Sequence, residues 1–176
     1  MALIDVNGTQ IHYLDEGPRD APAIVFSNSM FFDVTMFEKQ AAAFADNYRV
    51  VRYDHRGQGG SAKAPRDKLD MDTLANDTAA LIEALGLQKC CFVGNSMGGF
   101  IALRLAARRP DLIASAVIMG SSADAEVSVE AMDAVVEVIE QNGVSPVVED
   151  VLYFMLGDTT LNDPDRAATK QRVTKM

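Results

Sequence analysis

One pentapeptide, Gly94-Asn95-Ser96-Met97-Gly98, limits what this chain can fold into more than any other part of the sequence. It follows an apolar run, residues 89–93, and precedes an alanine-rich pattern of helical period that ends at Arg109. A strand, a tight turn and a helix in this order present a serine at strained backbone angles, and the flanking glycines let strand and helix approach closely. We therefore interpret Ser96 as a nucleophile rather than as a serine that only caps a helix.

The residue after Ser96 opens the predicted helix, so its backbone N–H has no acceptor within the helix. Such an N–H, at the positive end of the helix dipole, is suited to stabilise negative charge that develops on a carbonyl oxygen. The sequence thus predicts that the Met97 N–H is one donor of an oxyanion hole.

Composition and charge narrow the class of protein. The 176 residues carry a net charge of −9, and 48% of them are hydrophobic, which is typical of one soluble globular domain and argues against a nucleic-acid surface. No apolar run approaches the roughly 18 residues that a membrane span needs. The first residues lack the basic and apolar regions of an export signal, so we expect a cytoplasmic protein.

Metal and cofactor sites are not indicated by the sequence. The two cysteines, Cys90 and Cys91, are adjacent in a predicted strand and point to opposite faces, so they are interpreted as small buried thiols rather than as a disulfide, a redox pair or metal ligands. There is no cluster of histidine, cysteine and carboxylate at ligand spacing and no G-x-G-x-x-G fingerprint. We expect neither a metal nor an organic cofactor.

Strands and helices alternate through the first two thirds of the chain. Predicted strands are 2–6, 10–14, 23–27, 48–53, 89–93 and 113–119, and predicted helices are 37–44, 73–85 and 98–109. Asn7-Gly8 indicates a hairpin between the first two strands, and Gly86 a helix end. The alternation predicts an α/β fold, a mostly parallel sheet with helices on both faces, over residues 1–122.

Residues 123–176 form a second predicted segment that is helical and contains no strand. Helices are expected over 125–141, from Ser145-Pro146, and from Asp163-Pro164 to the last residue. Apolar side chains on them either line a pocket or merely pack the segment against the sheet, and the sequence leaves both open: Met132, Val136, Leu152, Phe154 and Met155.

Three motifs together resemble the α/β-hydrolase superfamily. The first is the pentapeptide itself followed by Gly99, and the second is Asp54-His55-Arg56-Gly57-Gln58-Gly59-Gly60-Ser61, similar to a D-x-R-G-x-G-x-S loop. The third is Ser27-Asn28-Ser29-Met30, where most members have His-Gly. This Asn-Ser variant and the run 48–54 most resemble 3-oxoadipate enol-lactonases, and related esterases, C–C bond hydrolases and cofactor-free perhydrolases share much of the pattern.

The resemblance, which covers about residues 1–122, implies a serine-dependent hydrolase acting on a small carboxylic ester or enol-lactone through an acyl-enzyme. It also implies that the loop after the third strand supplies the second oxyanion donor, the N–H of Met30. A C–C bond hydrolase or a cofactor-free perhydrolase stays open as a reading within the same superfamily.

The proton acceptor is the part of this machinery that the sequence lacks. The superfamily order is serine, acid, histidine, but no histidine follows Ser96, and only His12 and His55 exist. One strand is expected to separate the strand before His55 from the strand before Ser96, about 10 Å away, so His55 is interpreted as structural or close to the substrate. Asp124 is interpreted as the start of a helix rather than as the acid.

We therefore expect this chain to be the N-terminal portion of a hydrolase. A C-terminal segment or a second chain would supply the Asp, the His and the last strands of the sheet. The alternative from another class is a catalytically inactive, hydrolase-like binding subunit that keeps the serine and lacks a base. Asp54, Arg56 and Ser61 are interpreted as groups that fasten the loop after the fourth strand.

Overall fold

The computed structural model describes residues 2–123, 129–156, 161–164, 167–168 and 171. The chain divides into two compact units, Met1–Ala123 and Asp124–Met176. The first unit contains six strands: β1 (Ala2–Val6), β2 (Thr9–Glu16), β3 (Ala23–Ser27), β4 (Arg49–Tyr53), β5 (Cys90–Asn95) and β6 (Ile113–Met119). Its helices are α1 (Glu38–Phe44), α2 (Met71–Ala84) and α3 (Met97–Arg108), with a short 3₁₀ turn at Arg66–Lys68.

The six strands form one sheet in the order β1-β2-β4-β3-β5-β6. The two pairs that involve β2 are antiparallel, and the other three pairs are parallel. This confirms the predicted α/β fold with a mostly parallel sheet. As expected, β3 lies between β4 and β5, so the loops after these three strands meet at one edge of the sheet.

Strand β2 runs two residues further than the sequence predicted. The prediction stopped at Leu14 because Asp15 and Glu16 are polar, but both carboxylates face arginines of the neighbouring β4. Arg49 donates to both Asp15 oxygens, at 3.1 and 2.8 Å, and Arg52 donates to Glu16 at 2.5 and 3.2 Å. Paired charges extend a strand that a pattern of apolar residues alone would end.

Helix α2 begins two residues earlier than predicted because its cap is Asp70. The Asp70 carboxylate accepts hydrogen bonds from the N–H groups of Asp72 and Thr73, at 3.0 and 2.8 Å. The end of the helix follows the prediction: Gly86 has a φ of +63°, and its N–H donates to the Glu83 carbonyl at 2.9 Å. Glycine enters this left-handed region without strain, so the helix stops there.

The core lies on both faces of the sheet because alternate strand residues point to opposite sides. Val25 of β3 and Val51 of β4 belong to the larger cluster, which α2 and α3 cover with side chains such as Ile82 and Ile101. The neighbouring strand residues Ile24 and Phe26 of β3 and Val50 of β4 belong to a smaller cluster. Phe37, just before α1, and Ala41 within it complete that cluster.

The outer side of β6 is unpaired among the described residues. Its apolar side chains are correspondingly exposed, Val117 by 46% and Ile118 by 37%. The strand from Ile113 to Met119 contains no charged residue and no proline, the groups by which proteins usually protect a sheet edge. The edge therefore offers a free row of backbone donors and acceptors.

The second unit is helical where it is described. It contains α4 (Val129–Asn142), a 3₁₀ turn (Ser145–Val147) and α5 (Val148–Met155). On α5, Val148 and Leu152 are buried. Outside the described residues lie Asp124, residues 125–128, most of the predicted third helix, and the side chains of Met132, Phe154 and Met155. No helix among the described residues is long and apolar enough to cross a membrane.

A buried ion pair joins α2 to the loop after β4. Arg56 donates to both carboxylate oxygens of Asp77, at 2.7 and 2.6 Å, and its third contact is the Asn7 carbonyl at 3.0 Å. Arg56 therefore fastens this loop as predicted, but the sequence did not indicate that its partner would be Asp77 on α2. A guanidinium carries donors only, so its partners are acceptors, here a carboxylate and a carbonyl.

We expect Asp77→Asn to lower the free energy of unfolding by about 3 kcal/mol, because Arg56 would keep its charge without a buried counter-charge. Urea denaturation at pH 7 measures this loss. Asp72→Asn is the matched control on the same helix, since Asp72 and its partners Arg104 and Arg108 are accessible to solvent. Equal losses in the two variants would contradict the assigned role of the buried pair.

Candidate functional site

Ser96 occupies a single-residue turn between β5 and α3. Its backbone has φ of +50° and ψ of −115°, outside the regions that residues with a side chain normally adopt. Such a conformation costs about 1–3 kcal/mol and persists only where the surrounding structure determines it. The sequence pattern predicted this strained turn, and the backbone angles agree with it.

Hydrogen bonds from the end of β6 hold the turn. The Ser96 N–H donates to the Met119 carbonyl at 2.8 Å, and the Ser121 hydroxyl donates to the Ser96 carbonyl at 2.7 Å. The same carbonyl accepts the N–H of Gly99 at 2.8 Å. Both backbone polar groups of Ser96 are therefore engaged in hydrogen bonds that hold the turn.

The glycines of the motif are required by close approaches of the backbone. A Cβ atom on Gly94 would collide with the carbonyl of Gly98, and one on Gly98 would collide with the carbonyl of Ser27 in β3. A Cβ on Gly99 would overlap the Ser121 hydroxyl, which holds the turn. These contacts confirm the prediction that the glycines bring strand and helix together.

The Ser96 side chain does not cap its own helix. Ser96 lies at the N-cap position of α3, but its hydroxyl makes no capping hydrogen bond. In contrast, Asp70 at the start of α2 accepts two backbone N–H groups. The interpretation of Ser96 as a mere capping residue is therefore not supported, and the hydroxyl is half-buried at the sheet edge rather than tied to the helix.

The loop after β3 forms a tight turn at the same edge of the sheet. The Phe32 N–H donates to the Ser29 carbonyl at 3.2 Å, and Phe31 between them has a φ of +65°, the signature of a type II turn. Met30 is the first central residue of this turn and is 44% exposed. Because Ser27 pairs with Gly94, the turns that contain Met30 and Ser96 leave adjacent strands side by side.

His55 is committed to the loop after β3. It is 1% exposed, and its Nε2 lies 3.0 Å from the Asn28 carbonyl and 3.5 Å from the Ser27 hydroxyl. A carbonyl oxygen only accepts, so Nε2 carries the proton and donates it there. Burial lowers the pKa of His55 to about 4, in spite of this hydrogen bond. The geometry favours the structural interpretation of His55 over that of a base.

His12 is bound to Asp54. Its Nδ1 lies 2.6 Å from the Asp54 carboxylate, which also accepts the N–H groups of Val34 at 2.7 Å and Gly60 at 2.8 Å. Ser61 completes the junction by donating to the Asp54 carbonyl at 2.7 Å. Asp54 and Ser61 thus fasten the loop as predicted. Both histidines of the chain are engaged in the interior.

Among the described residues, no three side chains of the types histidine, cysteine, aspartate and glutamate are grouped as a metal site would require. Cys90 is buried and Cys91 is half-buried, and neither is in a disulfide. Burial raises the pKa of the Cys90 thiol to about 12, so it stays protonated near neutral pH.

We expect His55 to make the protein less stable in acid. Its pKa is about 4 in the folded chain against an ordinary value of 6.5, so the unfolded chain takes up the proton first as the pH falls. Its share of the stability is complete above pH 6.5 and is lost by about pH 4, a total of about 3 kcal/mol. In urea denaturation between these pH values, His55→Gln is expected to reduce the slope of stability against pH. An unchanged slope would contradict the assignment.

Comparison with known proteins identifies relatives that agree with the fold described above. A family model described as alpha/beta hydrolase fold matches residues 22–143. 3-Oxoadipate enol-lactonase 1 of Acinetobacter baylyi is 38% identical over 135 residues, which is 75% of this chain and 48% of that protein. 3-Oxoadipate enol-lactonase 2 of the same organism is 32% identical over 139 residues, which is 79% of this chain and 51% of that protein.

A solved structure, the enol-lactonase from Burkholderia xenovorans LB400, superimposes with a TM-score of 0.88 at 31% identity. The superposition covers 98% of this chain and 67% of the other. The chain spans about half the length of the curated relatives it matches.

Proposed function

Because this chain belongs to the α/β-hydrolase fold family, we propose that it carries the nucleophile and the oxyanion hole of a serine-dependent hydrolase. In this proposal, residues 1–122 are the N-terminal part of the catalytic core, and residues 123–176 begin a helical cap. The observation that carries the proposal is the backbone of Ser96: a strained turn at the end of a strand, with the hydroxyl not used for capping.

The proposed reaction begins when the Ser96 Oγ attacks the carbonyl carbon of a small carboxylic ester or enol-lactone. The hydroxyl proton passes to a base, and the carbonyl oxygen becomes an oxyanion that accepts hydrogen bonds from the N–H groups of Met30 and Met97. The bond to the leaving oxygen then breaks, the proton moves to that oxygen, and an acyl-enzyme remains. Water hydrolyses the acyl-enzyme to the carboxylic acid and restores Ser96.

The position of Met97 supports its share in this reaction. It is the first residue of α3, so its N–H lacks an acceptor within the helix and lies at the positive end of the helix dipole. The role of Met30 is supported by its exposure and by its place in the turn that follows β3, the strand adjacent to β5. Loss of one such donor typically costs a factor of about 10²–10³ in rate.

The base is proposed to come from polypeptide outside residues 1–176. His55 donates its Nε2 proton to a backbone carbonyl, and His12 lies on β2, which is three strand spacings, about 14 Å, from β5. The unpaired side of β6 offers a place where further strands, bearing an Asp and a His, would join the sheet. The substrate class rests on the relatives, whose names describe enol-lactonases. A C–C bond hydrolase or a perhydrolase would use the same nucleophile.

The absence of a base from this chain leads to a testable prediction about the reactivity of Ser96. If Ser96 is in place and only the proton acceptor is absent, added imidazole will partly replace it. A base in position is worth about 10²–10⁴ in rate, so we expect tens of millimolar imidazole to speed the phosphonylation of Ser96 by a fluorophosphonate at least about 10-fold. Intact-mass spectrometry followed by peptide mapping measures the rate and the site.

The matched control is Ser96→Ala, which should show no adduct on the peptide that contains position 96. Labelling that is equal in this variant would place the reaction at another residue. No labelling of the wild-type chain, with or without imidazole, would overturn the enzyme proposal. It would favour the inactive binding subunit, for which the supporting observations are the bond of His55 to a backbone carbonyl and the distance of three strand spacings between β2, which carries His12, and β5.

A further inference from the structure

We propose that the hydrogen bond between Ser29 and Asn95 is a tether that sets the position of the Met30 N–H relative to Ser96. Ser29 and Asn95 would then be positioning residues for the oxyanion hole, acting through the backbone of Met30 rather than touching the substrate. This inference rests on the proposed function and adds to it a role for two side chains to which the sequence motifs gave none.

The tether is a part-buried contact between segments that are distant in the chain: Ser29 is buried and Asn95 is half-buried. The Ser29 Oγ donates to the Asn95 Oδ1 at 2.5 Å and lies 3.4 Å from the Asn95 carbonyl oxygen. Ser29 is 1% exposed, so its hydroxyl is largely shielded from water. Ser29 immediately precedes Met30, and Asn95 immediately precedes Ser96. The contact therefore joins the two turns at the residue before each proposed functional group.

The loop that carries Met30 is anchored at the Asn28 carbonyl by His55 and at the Val34 N–H by Asp54, and the tether acts on the turn between these two anchors. Met30 is 44% exposed, and Phe31 is held at a φ of +65°, which a bulky residue adopts only under constraint. The N–H of Ser29 contacts the sulfur of Met36 at 3.4 Å, and a thioether is a weak acceptor. The Asn28 amide reaches the Phe32 carbonyl, but this bond lies within the same loop.

The position of an oxyanion donor matters because the stabilisation it gives depends on its distance from the oxygen that becomes charged. A donor stabilises the transition state when it lies about 2.7–3.1 Å from the oxygen that becomes charged. A displacement of about 1 Å can cost roughly 10²-fold in rate. Substrate binding depends less on this one N–H, so release of the tether should lower kcat more than it changes KM.

The kinetic test uses Ser29→Ala, Asn95→Ala and the double variant, with Ser145→Ala as an exposed serine control in the second unit. The assay is imidazole-assisted hydrolysis of an aryl ester, with rates per active site after fluorophosphonate titration. We expect each single variant to lower kcat about 10-fold with KM within about 2-fold. Because both lose the same bond, the double variant should equal the singles rather than fall about 100-fold.

A second readout does not depend on activity. The Phe32 N–H is held by the Ser29 carbonyl across the turn, so its hydrogen exchange reports opening of the loop. We expect it to exchange about 10-fold faster in Ser29→Ala and in Asn95→Ala and to stay unchanged in Ser145→Ala. The N–H of Leu85, bonded to the Leu81 carbonyl at the end of α2, is an internal reference.

The outcomes separate the two proposals. Unchanged exchange of Phe32 in both single variants would overturn the tether. Faster exchange with unchanged kcat per active site, or losses that multiply in the double variant, would overturn its role in positioning Met30. If wild-type Ser96 fails to react while Phe32 responds as expected, the proposed function fails, and the tether stands as a restraint of the loop.

Discussion

The close approach of α3 to the sheet is the contact on which the rest of the structure depends. Gly98 in the first turn of α3 lies against the carbonyl of Ser27 in β3, at a distance that any side chain on Gly98 would prevent. Gly94 makes the corresponding contact between β5 and the helix. With strand and helix so close, one residue must turn the chain, and Ser96 accepts a φ of +50° to do so. The strain in this turn is balanced by two hydrogen bonds: the Ser96 N–H donates to the Met119 carbonyl, and the Ser121 hydroxyl donates to the Ser96 carbonyl.

Ionisable groups of the first unit are used mainly to hold loops. Asp54 accepts His12 and two backbone N–H groups, Arg56 binds Asp77, and the arginines of β4 bind the carboxylates at the end of β2. His55 is buried against the Asn28 carbonyl. These contacts hold the loops after β3 and β4 at the edge of the sheet where Ser96 lies. They agree with the proposal that the base comes from elsewhere, because His55 is bound to a carbonyl and β2, which carries His12, is three strand spacings from β5.

The sequence was most informative where one residue type has a unique physical use. The glycines around Ser96, Gly86 at the end of α2 and the alternation of strands and helices predicted the turn, the helix stop and the α/β sheet. The superfamily resemblance, drawn from three motifs, is confirmed by the family model. The closer resemblance to enol-lactonases, drawn from the Asn-Ser variant and the run 48–54, is confirmed by the names of the relatives. These features depend on neighbours in the chain, so a local pattern is enough to predict them.

Most of what the sequence missed depends on contacts between distant segments. The extension of β2 needed the arginines of β4, whereas the early start of α2 depends on a local cap, Asp70, whose residue type is a readable signal. Asn95 gave no signal of its own, because its partner Ser29 lies 66 residues away and polar residues are common in such turns. The φ of +65° at Phe31 ran against the preference of its residue type, as expected where tertiary contacts outweigh local preference.

The most direct test of this account is a high-resolution crystal structure of the chain with a small anion such as acetate in the site. The account predicts a φ near +50° for Ser96, with the N–H groups of Met30 and Met97 both within hydrogen-bond distance of one anion oxygen. An ordinary backbone at Ser96, with its hydroxyl accepting the N–H of Gly98 or Gly99 as a helix cap, would contradict it.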